Sequence, residues 1–204
     1  MSVFTDALDL RTAVVENTND TIVDVWPRLV AQAENQINYR LRVREMIKGP
    51  AIVTFVNGIA PFPSDFLELI DLSRNQFDSS HQSGIAFERM NQSNVRGSFL
   101  YSEDNFTVTG DGFKMTGFEG ERNIFYYAKM PSLAGSLSAS NDILQKYPDL
   151  YENAVTMRAA KYIKDLNLFQ VYQALFAEEI SLARQQSNAE RFGAAKVRVN
   201  GATP

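Results

Sequence analysis

The spacing of apolar residues changes twice along this chain, from helical to alternating and back. That switch confines it to a helical body interrupted by a β segment. Residues 1–48 carry the helical period. In "DALDLRTAVV" Ala7, Leu8, Leu10, Val14 and Val15 fall near one face. "NTND" breaks the pattern, and Pro27 then suits a first helical turn, where its missing N–H costs nothing. Leu29, Val30, Ala33, Ile37 and Leu41 recur at helical spacing, predicting a helix from about Pro27 to Leu41.

Residues 49–139 alternate instead, and 13 of the 23 aromatic residues lie between Phe55 and Tyr127, so the apolar load of this part is largely aromatic. In "NFTVTG" Phe106 and Val108 oppose Thr107 and Thr109, and "GFKMTG" repeats the pattern with Phe113 and Met115. Gly110-Asp111-Gly112 between them is a hairpin signal, and "AIVTFVNG" is a strand ending in an Asn-Gly turn. "NIFYYAKM" is apolar on both faces, as a central strand is. About five to seven antiparallel strands are expected.

Helical spacing returns at 140–186. Ser140 or Asn141 can cap a short helix, and Tyr147 must end it because a residue before proline is pushed out of the α region. Pro148 and Asp149 suit the start of the next helix, running to about Leu166. A last helix carries Leu168, Tyr172, Leu175, Phe176, Glu179, Leu182 and Ala183 at helical spacing. Leu175 and Phe176 are expected to pack against the helix holding Ala154 and Met157. Residues 187–204 lack a core-facing pattern and read as an extended arm. The expected class is α+β, mainly α, with a bundle from 1–48 and 140–186 around an antiparallel β insertion.

Composition narrows the function. A chain of 204 residues can bury roughly 70% of its unfolded surface and needs no staples. It has no cysteine, which excludes disulfides, zinc–thiolate sites and cysteine nucleophiles. Neither a signal peptide nor a membrane-spanning run is legible, so a soluble, intracellularly made protein is expected. The net charge of −4 falls in the middle: residues 49–139 hold 10 acids and 6 bases, whereas 1–48 hold 7 and 6, and 140–204 hold 7 and 8. No clustered basic face for gripping nucleic acid is visible.

The residues that could do chemistry have plainer roles. His81, the one histidine, sits in a polar loop with no HExxH or HxE pattern around it. The glycines of "GDGFKMTGFEG" lie between strands and form no GxGxxG, and there is no phosphate-binding loop or GxSxG. Glu103/Asp104 and Glu119/Glu121 are the acid pairs a hydrolase would need. The aromatics could build a sugar platform, but alternation buries most of them. The sequons at Asn19, Asn91 and Asn105 matter only in a secretory context. No catalytic residue, cofactor or metal site is expected.

Two groups suit contacts between proteins. Arg40, Arg42 and Arg44 end a helix, where the dipole favours cations. They could equally pair with acids on a neighbouring subunit or partner. On the arm, Arg191 and Phe192 precede "AKVRVNG", in which Lys196 and Arg198 alternate with Val197 and Val199, as an added strand would.

Four stretches together resemble the head-to-tail adaptor, or head-completion, proteins of tailed bacteriophages. They are "AQAENQINYRLRVREM", "NGIAPFPSDFLELIDL" (with Phe62 where leucine is commoner), "FYYAKMPSLAGSLSASNDILQKYPDLYENAV", and the closing helical hairpin with its polar tail. The resemblance implies a virion protein at the head–tail junction, made in the host cytoplasm. It implies a homo-oligomeric ring, dodecameric in relatives, between the portal and a tail or nozzle protein. DNA would pass through the lumen without specific binding, and no membrane is involved. The arm residues would dock on the portal, and the arginines would serve a subunit or partner interface. The competing readings are a tail-hub peptidoglycan hydrolase and a host-surface or carbohydrate-binding module.

Overall fold

The computed structural model describes residues 4–18, 22–74 and 106–192, and they form an α+β protein, mainly α. The chain divides into two compact units. One joins Met1–Glu45 to Met130–Pro204, and the other is Met46–Lys129.

The first unit is built around α4 (Pro148–Ile163), against which α1 (Ala7–Thr18), α2 (Trp26–Arg40), α3 (Asp142–Lys146) and α5 (Leu166–Phe192) all pack. Ten of its sixteen residues are buried, so it has core on nearly every side. Ala154, Ala159 and Ala160 are among them, and small side chains let neighbouring helices approach closely. As the sequence requires, Pro148 opens this helix. It closes at Lys164, whose φ of 64° is left-handed, and the Asp165 carboxylate then caps α5 by accepting from the Leu168 N–H at 2.9 Å. The apolar stripe of α2 is buried as expected: Leu29, Val30, Ala33, Ile37 and Leu41.

On α5 the core face is narrow. Phe176, Ile180, Ala183 and Ser187 are buried at spacings of four, three and four residues. Leu175, expected beside Phe176 in the core, is instead 39% exposed. One residue turns a helical position by about 100°, so the two cannot share a seam this narrow. α5 also runs on to Phe192, through the start of the expected arm, because Ser187 still faces the core and accepts from the Arg44 backbone N–H at 2.9 Å. Tertiary contact overrides a locally poor helix sequence here.

Among the described residues, the second unit holds two three-stranded antiparallel sheets. The first has the order β1 (Ile47–Phe55), β6 (Gly120–Ala128), β3 (Phe66–Arg74), with "NIFYYA" in the central strand. The second is β2 (Ile59–Ala60), β5 (Phe113–Lys114), β4 (Thr107–Val108). Asn57 and Gly58 join β1 to β2 with φ of 52° and 76°, the paired positive values of a two-residue hairpin turn. The core lies among Val53, Phe55, Leu72, Phe106, Phe113, Met115, Ile124 and Tyr126. Phe62 stacks on Phe66 at 4.5 Å, and both rings meet Phe113 edge-on. Residues 130–139, expected within the insertion, belong with the helices.

Phe176 is fully buried, so Phe176→Ala should cost roughly 3–5 kcal/mol, whereas Leu175→Ala should stay within about 1 kcal/mol. Urea unfolding of the two variants measures both, and equal costs would contradict the narrow seam.

Candidate assembly surface

The polar spacer that returns the chain to the helices is held from three sides. Glu34 is the buried anchor. It lies in the core stripe of α2, and its carboxylate accepts from the Ser132 hydroxyl at 2.5 Å and the Leu133 N–H at 2.6 Å. Burial raises its pKa above the ordinary 4.5, and the two hydrogen bonds only partly offset this. Further along, Asn141 accepts from the Leu144 N–H at 2.9 Å and so caps α3. Its amide donates to the Pro131 carbonyl at 2.9 Å and to the Tyr151 hydroxyl at 2.8 Å. Finally, the Ala139 and Leu137 carbonyls accept from the Ala7 and Leu8 N–H groups, both at 2.9 Å, closing the start of α1.

The three arginines separate into different roles. Arg42 donates from Nη1 to the Asn38 and Leu41 carbonyls, each at 2.7 Å, and so caps its own helix. Arg44 is exposed, with its backbone tied to Ser187. Arg40 is exposed too. Its guanidinium lies 5.9 Å from the Phe176 ring centre, and its carbonyl accepts from the Arg184 guanidinium.

Lys146 bridges two elements, donating to Glu45 at 2.5 Å and to Glu190 on α5 at 2.6 Å. Burial works against its ammonium, but the hydrogen bonds to Glu190 and Glu45 outweigh that and hold its pKa above the ordinary lysine value. The Lys146 hydrogen bond holds the Glu190 carboxyl below the ordinary range.

Of the arm, Arg191 and Phe192 are the last residues of α5, while Lys196, Val197, Arg198 and Val199 lie outside the described residues. So do His81 and the Glu103/Asp104 pair. Glu119 and Glu121 are exposed beside and within the start of β6. Among the described residues, no group of His, Asp or Glu is placed to hold a metal ion, and no helix is long and apolar enough to cross a membrane. In the β unit, Asp65 takes a hydrogen bond from the Tyr126 hydroxyl at 2.9 Å and an ion pair from Lys48. Burial raises its pKa, yet the Lys48 and Tyr126 hydrogen bonds outweigh this and leave it lowered. Asp65 is a positioned structural acid.

Sequence reasoning passed over Glu34, although its place beside Ala33, three residues before Ile37, put a charge inside an apolar stripe. A charge there needs partners. Lys146 gave no such signal, because Glu45 and Glu190 meet it from far along the chain.

The family model described as SU10 adaptor protein matches residues 5–199. No curated protein matches the chain.

Glu34 carries two expected outcomes. Glu34→Ala leaves the buried Leu133 N–H without its acceptor, at a cost of roughly 1–3 kcal/mol. In the wild type the raised pKa means that the folded state holds this proton more tightly than the unfolded chain. Its contribution to stability therefore falls as pH rises from 4.5 towards the folded value. Glu34→Gln removes that titration. Denaturation midpoints measured across this window should show the wild type losing ground to Glu34→Gln as pH rises, and a constant difference would refute the assignment.

Proposed function

This chain belongs to the SU10 adaptor protein family, a family of phage head-to-tail adaptors, and on that premise we propose that it forms a homo-oligomeric ring seated between portal and tail. The observation that carries this reading is the family match over residues 5–199, which spans both units. Its role is structural and not catalytic. The ring extends the channel for the genome, and a net charge of −4 suits a wall along which phosphates slide without sticking.

The end of the chain is the portal anchor in this reading. Residues 187–192 are part of α5, so the anchor consists of the last helical residues, Arg191 and Phe192, together with residues 193–204. In that sequence Lys196 and Arg198 alternate with Val197 and Val199, which suits an extended segment paired with an acidic groove. Arg40 and Arg44 serve contacts between proteins, while Arg42 is committed to its own helix.

Deleting 193–204 tests the anchor without touching Ser187 or Glu190. The truncated protein should melt at the wild-type temperature and no longer co-sediment with portal-containing heads. Binding equal to wild type would remove the tail from the docking role. Electron microscopy of full-length protein on such heads tests the ring itself, and heads without added ring density would overturn it.

A further inference from the structure

The two flanks of α5 differ in charge and in apolarity. On one flank Val171 and Leu182 are 56% and 48% exposed, and Leu175 between them is exposed as well. Spacings of four and seven residues put the three on a single stripe, roughly a third of a turn from the buried seam. Glu178 and Glu179 stand beside this stripe, and Asp149 of α4 is close enough to Glu179 to help raise its pKa, after burial. The flank is both acidic and apolar.

The opposite flank is basic. Arg184 lies five residues beyond Glu179, about 140° round the helix. Its guanidinium reaches the Arg40 carbonyl at the end of α2, and the Arg40 charge in turn lowers the Arg158 pKa, after burial. Tyr39 stands next to this cluster with 83% of its surface exposed. Among the described residues, neither Arg40 nor Arg184 has an acidic partner.

We propose that these flanks are the two halves of one head-to-tail interface: Val171, Leu175, Leu182 and Glu178/Glu179 of one copy pack on Tyr39, Arg40 and Arg184 of the next. The occupant is a second copy of this chain because the charges are complementary between the flanks and alike within each. A two-fold contact through either flank alone would set acid on acid or base on base. A heterologous contact satisfies both, and when it closes it makes a ring. The apolar stripe supplies affinity, and the charges fix the direction of pairing. This interface rests on the ring reading above and names the surfaces that build it.

Charge exchange tests the pairing in full-length protein at low salt, read by sedimentation velocity and electron microscopy. Glu178→Arg/Glu179→Arg gives two basic flanks, and Arg40→Glu/Arg184→Glu gives two acidic ones. Each variant alone should lose the rings formed by wild type, and an equimolar mixture should recover them. Leu182→Asp should also lose them while melting normally, since its side chain contributes little to the fold. Rings from either charge variant alone, or no recovery in the mixture, would overturn the interface and leave the ring reading standing. Wild type that stays monomeric, in solution and on heads, would overturn both. A second readout uses the lack of native cysteine. With a short bismaleimide linker, Leu182→Cys/Tyr39→Cys should give a ladder of linked oligomers and each single variant none. Dimers from Leu182→Cys alone would establish a two-fold contact and end the proposal.

Discussion

The helical unit depends on one buried carboxylate. Glu34 sits in the core stripe of α2, where a charge is tolerated only if its oxygens are satisfied. The Ser132 hydroxyl and the Leu133 N–H satisfy them, and both come from the segment that brings the chain back from the β unit. Once that contact forms, the spacer has few alternative paths. Asn141 then lies where it can cap α3, hold the Pro131 carbonyl and reach Tyr151 on the central helix. The spacer's own carbonyls close the start of α1. One acid thus anchors a sequence-distant segment that joins four helices.

This ties together two of the four stretches that carry the family resemblance. "AQAENQINY" contributes Glu34, and "PSLAGSLSASNDILQKYPDLY" contributes Ser132, Leu133, Asn141 and Tyr151. They are halves of one hydrogen-bonded network and have to match each other. A further stretch, "PFPSDF", works by different physics. Phe62 holds its place by stacking on Phe66, and Asp65 ties the turn to Lys48 and Tyr126.

What the sequence disclosed was whatever short-range physics controls. The α2 stripe, the Asn57-Gly58 turn, the central strand around Tyr126, the cap at Asn141 and the helix start at Pro148 all depend on neighbours a few residues apart. Where distant contacts decide, the reading failed. The sequence of 187–192 has no apolar face, yet it is helical because Ser187 and Glu190 are gripped by Arg44 and Lys146. Leu175 has the spacing of a core residue, and it is exposed because α5 is covered along one narrow line only. Apolar spacing sets the turn at Lys164 two residues late, since a lysine in the left-handed region gives none of the warning that a glycine would. The arginine cluster was visible in the sequence, but not that Arg42 would bond its own backbone while Arg40 lies over Phe176.

That division bears on the interface proposed for the ring. A cation already bound to its own backbone, as Arg42 is, strengthens the subunit and contributes little across an interface. One that rests on an aromatic ring with no acid to hold it, as Arg40 does, can turn to a partner without first breaking an ion pair. The same holds for apolar surface. Phe176 is buried in the fold, while Leu175, its neighbour in sequence, keeps 39% of its surface exposed. Narrow coverage of a long helix leaves both flanks open, and their unlike charges favour neighbours in one order over association at random. The proposed ring interface therefore draws on the flanks of α5 and leaves the packing around α4 untouched.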